Sequence, residues 1–80
     1  MPAFAPVPPI VMRRMMEVYG FVMRDEDEFN WVLFRSATEQ IITIPKEGDL
    51  VSLTVMMGLL DKLKIDNGTY FRLLKLATDA

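Results

Sequence analysis

Any chemistry in this chain must be done without histidine or cysteine, because neither occurs among its 80 residues. That removes thiolate nucleophiles, imidazole bases and the usual zinc ligand sets, and leaves carboxylates, arginines and lysines. The densest group is Asp25-Glu26-Asp27-Glu28. Asp25 and Asp27 have the alternate spacing of a calcium loop, but Phe29 and Asn30 stand where the third acidic ligand and the turn glycine are needed. The run therefore reads as a solvated hairpin tip, and no metal or other cofactor is expected. Arg13-Arg14 is the one adjacent basic pair, and Arg24, Arg35 and Lys46 sit at strand ends. These five cations are the candidates for meeting RNA phosphates. The net charge of −2 argues against that use, since phosphate binding draws on a basic excess that the chain lacks.

Eighty residues make one domain, with a core small enough to depend on close packing or association. Hydrophobic residues make up 51% of the chain and include seven methionines, more apolar surface than a thin core hides, so part of it is expected to face a partner. Met12, Met15, Met16, Met56 and Met57 are expected to fill the core and its seams. No signal peptide or membrane-spanning run is legible, which points to a cytoplasmic protein and away from a membrane.

Four of the five prolines fall in residues 1–9, an extended arm. A helix is expected from Ile10 to Tyr19, with Val11, Met15, Val18 and Tyr19 inward and Gly20 ending it. Phe21–Arg24 reads as a strand, Asp25–Glu28 as a loop, and Phe29–Arg35 as the clearest strand. Ser36-Ala37-Thr38-Glu39 makes a turn into a third strand, Gln40–Ile44, which Pro45 ends. The short connections imply an antiparallel meander. A second helix starts at Ser52 or Leu53 and runs to about Lys64, with Leu53, Met56, Met57, Leu60 and Leu63 as its stripe. Gly58 inside it suggests close packing on the sheet. Asp66-Asn67-Gly68 breaks the chain before a last helix, Thr69–Leu76, with Phe71, Leu74 and Tyr70 inward. The expected fold is α+β, in the order α-β-β-β-α-α, with helices on one face of a three-stranded antiparallel sheet. The expected division is an arm at 1–9, a domain at 10–76 and a tail at 77–80.

This order, with its wording, resembles the HicA-type (YcfA-like) family. Gly20-Phe21 matches the Gly-Phe that ends the family's first helix, and Phe34-Arg35 the end of its second strand. Thr43-Ile44-Pro45 matches its Thr-Val-Pro strand, Leu50 and Thr54 the opening of the next helix, and Phe71 and Leu74 its closing helix. The resemblance spans about residues 10–75, with one-residue shifts in the first hairpin and the second helix. It implies a fold similar to double-stranded-RNA-binding domains, an mRNA endonuclease activity and a HicB antitoxin as partner. The catalytic histidine of the family would fall at Trp31, after Phe29 and Asn30 in place of its Gly-Ser. An indole has no basic nitrogen to take a 2′-hydroxyl proton, so the family chemistry is not expected here. Glu28 or Glu39 with Arg24, Arg35 or Lys46 would be the substitute acid–base set, but nothing in their spacing singles them out.

Strand alternation puts Phe29, Trp31, Leu33 and Arg35 on one side and Asn30, Val32 and Phe34 on the other. With Phe34 taken as a core position, Val32, Phe34, Ile42 and Ile44 are expected inside. Phe29, Trp31, Leu33 and Ile41 then form an apolar patch on the open face, unless the arm or a terminal helix folds over it. The expectation is a catalytically inactive HicA-like domain acting by protein association, as a homo-oligomer or with a HicB-like antitoxin. The alternatives are an mRNA interferase with altered catalytic residues and a non-catalytic RNA-binding module.

Overall fold

The computed structural model describes residues 5–79, so Met1 to Phe4 of the arm and Ala80 of the tail lie outside the described residues. The described elements are α1 (Pro9–Val18), β1 (Val22–Glu26), β2 (Asn30–Arg35), β3 (Gln40–Pro45), α2 (Leu53–Lys62) and α3 (Asn67–Asp79). The three strands form one antiparallel sheet in the order β1-β2-β3, and the fold is α+β as the sequence implies.

Each element has a local cause. Pro9 takes the first position of α1, where its missing N–H costs nothing. Beyond the end of α1, the Gly20 N–H bonds the Glu17 carbonyl and the Phe21 N–H bonds Met16, with Gly20 at φ 106°. Only glycine takes that turn without strain. The same paired bonds end α2, Lys64 to Asp61 and Ile65 to Leu60, but there the left-handed position is held by Lys64 at φ 56°. Ser52 caps α2 through its hydroxyl, which accepts from the Val55 N–H at 3.2 Å. Asp66 caps α3 by accepting from the Thr69 N–H at 2.8 Å. The segment Asp66-Asn67-Gly68 is thus the start of a helix rather than a break before one.

The helices pack against one face of the sheet. Met12, Met15 and Met16 of α1 meet Leu33, Ile42 and Ile44 of the sheet, Met56 and Leu60 of α2, and Tyr70, Leu73 and Ala77 of α3. Phe21, Val51, Leu63 and Ile65 close the core from the connections. The arm joins this side too. Val7 is buried, its carbonyl accepts from the Val51 N–H at 2.8 Å, and the Ala5 carbonyl accepts from the Tyr70 hydroxyl at 3.3 Å. Burial raises the pKa of Tyr70, keeping it a neutral donor.

Several expectations change. β1 runs on through Asp25 and Glu26, because a bulge at Arg24 inserts one residue and resumes the pairing. Only Asp27 to Phe29 remain as the loop between β1 and β2. In α1, Met12, Met15 and Met16 fill the core as expected, but Val18, expected inward, is exposed. In α2, Met56 and Leu60 are buried whereas Leu53 and Met57 are exposed, and a Cβ at Gly58 would meet nothing within 4 Å. Close packing therefore does not explain Gly58. α3 begins two residues earlier and continues to Asp79, turning Tyr70, Leu73 and Ala77 inward and leaving Phe71 exposed. Ala77, expected in the tail, belongs to the core.

Candidate functional site

The sheet's uncovered face is built by strand register. The turn Ser36–Glu39 pairs Arg35 with Gln40, which sets Leu33 opposite Ile42 and Trp31 opposite Ile44. Directly paired residues share a face. Since Ile42 and Ile44 are buried, Leu33 and Trp31 lie on the helix side with them. Leu33 is fully buried and Trp31 is half-buried against the core. The expected placement of Trp31 and Leu33 on the open face is thus reversed, and so is that of Val32 and Phe34 in the core. The register follows from turn length, a signal already present in the sequence. Using Phe34 as the core anchor overrode it.

The open face consists of two rows and a bulge. Val22, Phe34 and Ile41 lie side by side across the three strands, with Val22 60% and Ile41 48% exposed. The next row is Asp25, Val32 and Thr43. Sequence neighbours in a strand normally point to opposite faces. The bulge turns Arg24 and Asp25 to the same one: the Arg24 guanidinium lies 4.9 Å from the Phe34 ring centroid, and Asp25 pairs opposite Val32. The described arm and helices pack on the other side and leave this face uncovered. Of the expected patch, Ile41 belongs to this surface. Phe29 is 55% exposed at the hairpin tip, and Leu33 is in the core. The sequence reading missed Val22, Val32, Phe34, Thr43 and Asp25.

The sheet's edges are protected where its face is not. The Lys46 N–H bonds the Phe29 carbonyl, so by alternation Ile41, Thr43 and Pro45 turn their backbone groups outward from β3. Pro45 has no N–H to offer, and the Ile41 carbonyl accepts from the Lys62 ammonium at 3.1 Å. The β1 edge carries the bulge and the acids Asp25 and Glu26. Bulges, charges and prolines are devices that oppose strand addition.

The cations expected to meet RNA are divided between the two sides of the sheet. Arg13 pairs with Glu17 at 3.3 Å and stacks 5.1 Å over Trp31; Arg35 stacks 4.4 Å over Tyr19. Arg24 lies on the open face. Lys46 holds Glu26 at 2.6 Å, and Arg14 is exposed on α1. Glu28 and Glu39 form no ion pair with the cations expected beside them among the described residues: Lys46 pairs with Glu26, Arg24 lies over Phe34 and Arg35 over Tyr19.

The titration behaviour is that of turns and caps. Asp27 is held below the usual carboxylate range mainly by the N–H groups of Phe29 and Asn30, and Asp66 by that of Thr69. Among the described residues the only hydroxyl-bearing side chain in the core is Tyr70, no charged side chain is buried, and no group of three carboxylates could hold a metal ion. An open recess of about 560 Å³ lies at the end of α2 and the connection that follows it, lined by Leu60, Asp61, Lys64, Ile65 and Asp66, and contains none of the candidate residues. None of the described helices is long and apolar enough to cross a membrane. No protein-family model, curated protein or solved structure matches the chain.

Proposed function

We propose that this chain is a non-catalytic association domain with a HicA-like pattern, which binds protein through the open face of its sheet. The observation that carries the reading is the row Val22-Phe34-Ile41, apolar and covered by none of the described helices, with Val22 and Ile41 exposed, on a sheet whose two edges are guarded. Exposed apolar surface of this kind is the usual core of a recognition patch. The partner is either a second copy or a HicB-like antitoxin. The absence of imidazole supports the non-catalytic half of the reading, as does the pairing of Lys46 with Glu26 and of Arg24 and Arg35 with rings among the described residues. The division of the cations between two sides disfavours RNA as the ligand.

Photo-crosslinking tests the proposal. A photoreactive residue at position 22 or 41, introduced in cells expressing the full chain, should give discrete protein adducts. The same group at Lys75, on the exposed side of α3, should give none. Equal labelling from all three positions, or none from 22 and 41, would sink the association reading. Incubation of the purified chain with mRNA in the absence of metal should leave the RNA intact. Fragments that disappear when Glu28 or Arg35 is replaced would overturn the non-catalytic half.

A further inference from the structure

We propose that the occupant of the open face is a second copy of this chain, docked about a two-fold axis that sets Arg24 of each copy against Asp25 of the other. The inference rests on the open face being an association surface and adds the partner and the contacts that select it.

By turning two consecutive residues to one face, the bulge places a cation and an anion side by side next to the apolar row. In a two-fold interface residue i meets j while j meets i, so a surface carrying adjacent opposite charges is complementary to itself. A surface evolved for a strongly charged partner would carry a single sign instead. Both groups keep bonding capacity for the task. A guanidinium stacked on a ring retains its in-plane N–H donors at the rim. Asp25 uses Oδ1 to accept from the Glu26 N–H at 2.8 Å, which leaves Oδ2 for a partner.

Area sets the strength. Three strands spaced about 4.8 Å apart, each about six residues long at about 3.3 Å per residue, give a face of roughly 14 by 20 Å, or about 280 Å². A stable interface buries about 800 Å² on each side. Face-to-face docking of this sheet is therefore a micromolar or weaker, reversible association. The single chain is already compact: its radius of gyration is 11.8 Å, against about 11.6 Å for a compact chain of this length.

Sedimentation equilibrium of the full chain, from roughly 10 µM to 1 mM, reads the outcome. The unaltered chain should show a reversible monomer–dimer equilibrium. Arg24→Asp sets two acids against each other and Asp25→Arg two bases, so each variant should dimerise at least about tenfold more weakly. An equimolar mixture of the two restores both opposite-charge contacts and should form the heterodimer. Ile41→Asp, away from the charge pair, should also weaken the dimer. A chain that stays monomeric throughout overturns the proposal, as do single variants that dimerise normally or a mixture that fails to associate. Crosslinks from positions 22 and 41 to a different protein, with none between copies, would overturn the self-pairing while leaving the association reading in place.

Discussion

Trp31, Leu33, Ile42 and Ile44 on one face of the sheet, and Val22, Val32, Phe34 and Ile41 on the other, are drawn from the same set of aromatic and aliphatic residues. The first set belongs to the core that the helices share; the second has Arg24 over Phe34 and is covered by none of the described elements. Hydrophobicity by itself therefore does not separate core from surface in this molecule. The difference arises from where the helices return after β3 and from which strand positions the turn pairs. Burial on the first face holds the fold together, whereas exposure on the second leaves apolar area available to another molecule.

Mutations break this comparison most directly. Leu33→Ala removes a fully buried side chain and should cost about 2–5 kcal/mol in chemical denaturation. Val22→Ala, in the exposed row, should change stability by less than about 0.5 kcal/mol. Equal losses for the two would mean that the faces do not differ as described.

The two helix ends sharpen the contrast between a position fitted to its backbone and one that is not. A Cβ at Gly20 would add left-handed strain and approach Arg35 Nε to 3.1 Å. Gly20→Ala should therefore destabilise by about 1–3 kcal/mol. Lys64→Gly, at the equivalent point after α2, should raise the melting temperature, a gain of up to about 1 kcal/mol. Gly58→Ala should stabilise α2 by about 0.5–1 kcal/mol, because the new methyl group meets open space. No gain there would mean that the outer side of α2 has a role requiring glycine.

The smallest effect is the pH response of the turns. Asp27 and Asp66 have folded pKa values lowered by backbone N–H bonds, so their contribution is fully present above the ordinary carboxylate pKa. It is lost as pH falls through the lowered folded values. Stability should decline on acidification below about pH 4, and more shallowly in an Asp27→Asn, Asp66→Asn double variant. An unchanged acid profile in that variant would remove these two aspartates as the cause.

Much of this was readable from local signals. Prolines at the start of α1, Gly20 at its end, the dense β2 segment and the Ser36–Glu39 turn gave the element order. The first strand was cut short because Asp25 and Glu26 look like loop residues, and nothing local marks a bulge that lets pairing resume past Arg24. The stripe expected in α2 holds for Met56, Leu60 and Leu63 but not for Leu53 and Met57, because apolar residues on its other flank, such as Val55 and Leu59, leave periodicity unable to mark the buried side. The candidate surface is half-legible: alternation puts Ile41 on the open face and leaves Phe29 exposed at the hairpin tip, but Leu33 and Trp31 lie on the helix side.

The α-β-β-β-α-α order and the lack of imidazole and thiol side chains are fixed locally, because propensity, chain breakers and side-chain type act over a few residues. Tertiary structure decided which face of the sheet is open, where the arm lies and that Arg24 and Asp25 stand together. Those outcomes depend on strand pairing, a bulge and the return path of the helices, which join residues far apart in the chain.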